Sequence, residues 1–319
     1  MNRRMVLLLM LAGVLGLLAS CNQDDEETSS EAQRRDTERG EVSIEVVYPD
    51  WSSEIASAHL VKAVLQERLG YQVELTSVGV ADMWARVASG RADVLLGAWL
   101  PVTHEEYYEQ YSDSLVDLGP NLTGARIGLV VPTFQPGVLT DEGGRTGQPL
   151  VTIESIPELS EYAERFGGRI VGIESGAGVV QRTREAISHY ELQGDFRMYE
   201  SDEAHMLDAL SRAVNRNEWI VLTGWSPHWM FERYAVDFLD DPDNVFGGEE
   251  SIHTMTREGF KEDAPDAHEV LDRIQYTRRD FERLLWWIQN DDSGDVYAQA
   301  LRWIRVYSDT VDEWVAGVE

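Results

Sequence analysis

VSIEVVYPDW, Val42 to Trp51, is a β-rich run that stops at a Pro-Asp turn carrying a tryptophan, and the residues downstream of it set the architecture. From Glu54 to Leu69 apolar residues recur on one helical face, with Gly70 as the stop. Tyr71 to Val78 alternates as a strand, Ala81 to Ser89 reads as a helix ended by Gly90, and Ala92 to Ala98 is a buried apolar strand. Strand, helix, strand, helix, strand is the pattern of a parallel sheet with right-handed crossovers, so the fold class is α/β.

A second cycle comes next. Thr103 to Tyr111 reads as a short helix and Ile127 to Pro132 as a strand, and the Gly-, Pro- and Thr-rich stretch from Gln135 to Pro149 reads as a surface loop. Beyond it the spacing predicts a helix over Ile156 to Phe166, a strand over Arg169 to Ile173 and a helix over Val179 to Tyr190. A strand near Phe196 to Tyr199, a helix over Glu203 to Asn215 and a strand over Trp219 to Thr223 complete it. Ser251 to Thr256 returns to strand, and amphipathic helices, including Asp280 to Gln289 and Tyr297 to Tyr307, close the chain. Two α/β lobes joined by crossings near Val130 to Phe134 and Asp243 to Ile252 would hinge about a cleft.

Three tryptophans stand at equivalent places. Trp51 follows the run Ile44 to Tyr48, Trp99 follows Leu95 to Ala98 and precedes Leu100-Pro101, and Trp225 lies in Thr223-Gly-Trp-Ser-Pro-His-Trp-Met-Phe231. Each is expected just past the carboxyl end of a strand, where open α/β sheets bind ligands. Converging indole faces make a box for a cation that cannot donate hydrogen bonds, each face contributing roughly 0.5–2 kcal/mol. Trp229 reads as a buttress; Trp84, Trp286, Trp287, Trp303 and Trp314 fall in helical stretches and read as packing.

The turn Gly172-Ile-Glu-Ser-Gly-Ala-Gly-Val179 places glycines between a strand and a helix. Its spacing is neither Gly-x-Gly-x-x-Gly nor a Walker loop, so two readings remain, a tight packing turn or amides of Gly178 and Val179 that hold a small carboxylate. His104, His228 and His253 lack zinc-helix spacing, which favours loop-fixing or hydrogen-bonding roles over a metal. No nucleophile elbow is present, and in so acidic a chain a pair of carboxylates identifies nothing. No catalytic residue, no metal and no cofactor is therefore assigned.

Arg3 and Arg4 precede an apolar stretch from Met5 to Leu18, too short to span a bilayer comfortably, and then Leu18-Ala-Ser-Cys21. Residues 1–20 read as a signal peptide. The tetrapeptide resembles a bacterial lipobox, which makes Cys21, the sole cysteine, the expected lipidation site. Residues 21–40, without aromatics or apolar periodicity, read as an acidic tether. The expected place is extracytoplasmic, lipid-anchored to a bacterial membrane in the periplasm or at the cell surface. The formal net charge of −30, with Lys62 and Lys261 the only lysines, excludes nucleic acid as a partner. Such a surface suits high salt, where self-repulsion is screened.

From about Val42 to Trp314 the chain resembles the substrate-binding proteins of ABC importers for glycine betaine and related quaternary ammonium solutes. The resemblance is carried by Trp99-Leu-Pro-Val-Thr-His104, Gly172-Ile-Glu-Ser-Gly-Ala-Gly178, Thr223 to Phe231 and Ile252-His-Thr254. It implies a two-lobed periplasmic-binding-protein fold of type II, with a hinge and an interlobe ligand cleft. The expected lobes are residues 41–131 with 246–319, and 132–245. It implies that Trp51, Trp99 and Trp225 box the trimethylammonium group, that the Gly178 and Val179 amides hold the carboxylate, and that His104 adds a polar contact. Two departures stand out: Val102 where relatives often carry Asn, and Pro49-Asp50 before Trp51, which would set an acid near the box. The expected function is a monomeric receptor that delivers glycine betaine to an ABC permease for osmoprotection. Choline, carnitine, proline betaine or ectoine are the alternative ligands, and a secreted metal-binding lipoprotein or enzyme is the rival from another class.

Overall fold

A computed structural model describes residues 39–133 and 150–318. The expected signal peptide, Cys21, most of the tether and the 135–149 loop lie outside the described residues. Strands β1 (Ser43–Tyr48), β2 (Gln72–Ser77) and β3 (Val94–Leu100) pair in parallel in the order β2-β1-β3. Between them run helices α1 (Ser52–Leu69) and α2 (Val80–Ala88), as the periodicity requires. Helix α1 is buried around most of its girth, covered by the C-terminal helix Val296–Val306. It ends where Gly70, at φ 78°, turns left-handed and returns its N–H to the Gln66 and Leu65 carbonyls.

The hinge differs from expectation. Strand β4 is one continuous element, Leu115–Pro132, and belongs to both sheets. Leu115 to Ala125 pairs with the antiparallel β9 (Glu250–Arg257), whereas Arg126 to Pro132 pairs with β7 (Val221–Ser226) and β8 (Val236–Phe238). The first crossing is thus at Ala125 and Arg126, before Val130 to Phe134. Gly119 and Gly124, both at positive φ, and register shifts against β9 let one strand bend between two sheets instead of stopping. On the far side β5 (Arg169–Gly172) pairs in parallel with β7 and with β6 (Arg197–Glu200), giving the order β4-β7-β5-β6.

Helix α3 (Glu105–Tyr111) belongs to the first lobe and faces the second, whose helices include α4 (Gly178–His189) and α5 (Glu203–Arg216). The helix expected over Ile156 to Phe166 is a 3-10 segment, Ile156–Tyr162, with a Ser155/Glu158 capping box and Pro157 in its first turn. Gly167 and Gly168, both at positive φ, end the turns after it. Trp303 and Trp314 stack 5.8 Å apart in the core. Trp286, expected to pack, is instead 38% exposed, and Trp287 is half-buried beneath the Arg302 guanidinium.

Candidate functional site

The three tryptophans meet at the seam between the sheets. Strands β3 and β7 each run further than the apolar pattern suggests, so Trp99 and Trp225 are strand residues and not loop residues, 2% and 3% exposed. Trp51 is the N-cap of α1. The Leu100-Pro101 and Ser226-Pro227 peptide bonds after the two strand tryptophans are both cis. Together with Thr103, Ile127, Ile173, Ala177, Gly178 and Val179, the indoles line a small cavity. Trp51 and Trp225 face each other at 6.4 Å between ring centroids, tilted by 48°. Asp50, expected beside the box, is exposed and lines an outer groove with Ser52 and Glu203.

Opposite the indoles is the start of α4. The Ala177, Val180 and Gln181 amides bond to the Glu174 and Ala177 carbonyls, and no side chain caps the helix. The amides of Gly178 and Val179 are left, among the described residues, as first-turn donors without partners, at the positive end of a 12-residue helix. One end of the cavity is therefore aromatic and the other offers N–H groups, a match for a molecule with a bulky cation and an anion. His104 stands one layer behind Thr103, its ring 6.4 Å from Trp51. Its Nδ1 accepts from the Trp99 amide, so the proton sits on Nε2, a buried donor without a full hydrogen bond. Burial pushes the imidazole down to about 3, opposed in part by the Gly97 carbonyl, so it stays neutral.

The wall is held by carboxylates that sequence reading passed over. Trp51 Nε1 donates to Glu174 Oε1 at 2.7 Å, and Trp99 Nε1 donates to Glu54 Oε1 at 3.2 Å. Glu250 accepts from the Val102 and Thr103 amides, both at 2.7 Å, and from the Thr103 hydroxyl, which fixes the turn after Trp99. Val102, where Asn would add an amide, packs against Gly247 and offers its carbonyl to Arg182 at 2.9 Å.

Several contacts join the lobes directly. Arg182 of α4 reaches Glu105 at 2.8 Å as well as Val102, and the Tyr107 hydroxyl donates to the Gly176 carbonyl at 3.2 Å. The most buried joint is at Glu203. Its Oε2 accepts from the Ser52 amide at 2.8 Å, capping α1 from the other lobe, and its Oε1 lies 3.0 Å from His228 Nε2. Because His228 Nδ1 accepts from the Met230 amide at 2.9 Å, its Nε2 carries the proton and donates. Burial alone would raise the Glu203 carboxyl; the His228 and Ser52 donors overcome it and hold the group below the ordinary range. A hydrogen bond to a charged group contributes about 1.5–3 kcal/mol. Glu203→Gln is therefore expected to weaken ligand binding about tenfold while ligand-free thermal unfolding shifts little, and an unchanged affinity by calorimetry would exclude the joint as a closure latch.

The histidines serve three separate structural jobs: His104 with the Trp99 amide, His228 with Glu203 and His253 with Asp117 at 2.9 Å. Among the described residues no group of three or more His, Cys, Asp or Glu is arranged to hold a metal ion. No helix among them is long and apolar enough to cross a membrane.

Two α/β lobes closed over a box of indoles, with free helix amides at its far end, define a solute-receptor architecture. The family model described as the substrate binding domain of the ABC-type glycine betaine transport system matches residues 42–306, and the chain belongs to that family. It is 39% identical over 169 residues to the glycine betaine/carnitine transport binding protein GbuC of Listeria monocytogenes. That match spans 53% of this chain and 56% of the Listeria protein, about half of each. Among solved structures it resembles the glycine betaine/L-proline-binding protein ProX of Borrelia burgdorferi (33% identity, TM-score 0.78, 87% of this chain and 98% of that one). The lactococcal OpuAC, crystallised closed with glycine betaine, is similar too (35% identity, TM-score 0.76, 86% and 99% covered). The fold is the two-lobed periplasmic-binding-protein type.

Proposed function

We propose that this chain is an extracytoplasmic receptor that captures glycine betaine, or a closely related quaternary ammonium solute, and passes it to an ABC permease without chemical change. The observation that carries the reading is the pairing of three indoles with the unpartnered Gly178 and Val179 amides across one small cavity. A trimethylammonium group keeps its methyls against the rings, where the cation is attracted by each face. Its carboxylate takes the α4 amides, and His104 Nε2–H, now without a full partner, is the third donor. Closure then removes both charges from water. Supported by the leader and lipobox pattern, the same reading anchors the chain through a lipid on Cys21 and assigns it to osmoprotection as a monomer.

The test is calorimetric titration with glycine betaine, choline, carnitine and ectoine. Glycine betaine is expected to bind tightest. In His104→Ala it should weaken about tenfold, the loss of one hydrogen bond to a charged group, whereas choline, which has no carboxylate, should change little. Failure of every quaternary ammonium compound to bind would end the reading, and choline binding above glycine betaine would move it to the alternative ligand.

A further inference from the structure

Two of the three box indoles rest their N–H on a carboxylate, Trp51 on Glu174 and Trp99 on Glu54, whereas the buried Trp225 Nε1 has no partner among the described residues. Glu54 is the more unusual of the two acids. It is 3% exposed in the first turn of α1, and among the described residues no cation acts on it. The chain also makes room for it: a Cβ at Gly97 would come within 2.2 Å of Glu54 Oε2, so β3 carries no side chain where the carboxylate lies. A buried carboxylate without a counter-charge is costly in a folded protein, and the first-turn dipole offsets only part of that cost. Packing of Trp99 does not require the charge, since an amide would accept the same indole N–H.

Resting on the box reading of the proposed function, we propose that Glu54 is the counter-charge for the ligand's quaternary ammonium, held at the N–H edge of the Trp99 indole. Glu174, at the N–H edge of Trp51, is its weaker partner because it is less buried. Both are positioning residues that reach the ligand through an indole. A carboxylate at the N–H edge of a ring adds its attraction to that of the ring face, through a wall that excludes water and so screens little.

The ionisation of the site agrees. Burial pushes the Glu54 carboxyl up to about 7, the Trp99 N–H opposing it, so below neutrality the closed cleft carries a proton there that a cation would expel. The groups facing Glu54 do not compete near neutrality. The buried Tyr276 phenol, bonded to Ser57 of α1 and Asn121 of β4, is raised by burial, and Glu54 raises it further. His104, beyond β3, is neutral, and Glu203, at the Ser52 amide, is held ionised. Glu174 is raised by burial and by Glu203 and Asp50, with Trp51 opposing. Between the ordinary carboxylate range and about 7 the unliganded site keeps its proton, so cation binding strengthens as pH rises through that window and levels off above it.

The experiment titrates wild type and Glu54→Gln with glycine betaine from acid to mildly alkaline pH, in buffers of different ionisation heat. A second probe, 3,3-dimethylbutanoate, has the ligand's shape and carboxylate but no positive charge. Wild type is expected to bind glycine betaine about tenfold more tightly at the alkaline end than at the acid end, one unit of displaced pKa, and to release protons near neutrality. Glu54→Gln should bind it about tenfold more weakly at the alkaline end, with a flat profile and the release lost. 3,3-Dimethylbutanoate should bind both proteins alike or prefer the variant. Parallel pH profiles, an unchanged proton release, or an equal loss for 3,3-dimethylbutanoate would overturn the proposal. If Glu54→Gln does not fold, proton release by wild type decides alone, and its absence counts against Glu54. A wild type that binds no quaternary ammonium at any pH fails the box reading itself, a result distinct from binding without proton coupling.

Discussion

Gly178→Ala is expected to fold as well as wild type and to lose at least about 100-fold in ligand affinity, the combined value of the indole faces that an open cleft forfeits. A Cβ at this position would come within 2.1 Å of the Thr103 carbonyl oxygen and 2.5 Å of its Cγ2. Both atoms belong to the turn after Trp99, on the opposite lobe, and no atom of Gly178's own lobe is nearer. The clash thus exists only when the cleft is shut. The residue is at the first position of α4 with no left-handed φ, where alanine is a good helix former, so the open form has no reason to suffer. Thr103 has little room to yield, because Glu250 holds its amide at 2.7 Å and its hydroxyl as well. The lobes then cannot close fully, and the ligand loses the simultaneous contact with the indoles and the α4 amides. Calorimetry beside thermal unfolding checks this. An affinity within threefold of wild type, with unfolding unchanged, would show that closure does not bring Gly178 onto Thr103.

That outcome bears on why only part of the site is legible in the chain. The apolar runs ending at Trp51, Trp99 and Trp225 are local patterns, and the periodicity around them places parallel strands and crossover helices with small errors at the ends. The continuity of β4 is not local. Glycine and proline commonly interrupt strands, yet here Gly119, Pro120 and Gly124 lie within one strand that bends to serve two sheets. Carboxylates are the larger blind spot. In a chain with 57 acidic residues, Glu54, Glu174, Glu203 and Glu250 look like any others until tertiary contact buries them against an indole, a helix end or a turn. Asp50 shows the opposite error: adjacency in sequence to Trp51 suggests an acid beside the box, but the turn points it into the outer groove while Glu54, three residues beyond the tryptophan, goes inside. The helical repeat of α1 carries that information only once the buried side of the helix is known.

Replacing Trp225 separates attraction by the ring face from simple apolar contact, and the expected losses are large. Trp225 supplies the wall that faces Trp51, and it stacks edge-on against His228, 4.7 Å away, which also meets the Glu203 latch. Trp225→Phe keeps a π face of smaller area and should bind glycine betaine about tenfold more weakly, a loss of roughly 1 kcal/mol. Trp225→Leu keeps apolar bulk without a π face, and should lose on the order of 2–3 kcal/mol, about 100-fold, if the quadrupole is what holds the cation. Trp225→Ala should bind too weakly to measure, and its unfolding temperature should fall, because emptying a buried tryptophan costs about 3–5 kcal/mol. The leucine variant is the informative one, since it fills the core and still removes the charge-sensing surface. Against 3,3-dimethylbutanoate its loss should be small; equal losses for the charged and uncharged probes would make the box a hydrophobic pocket that happens to be lined with indoles. Among the described residues Trp225 Nε1 has no partner, which makes this wall the cleanest of the three to change, as no carboxylate stands at its N–H edge to be exposed by the substitution.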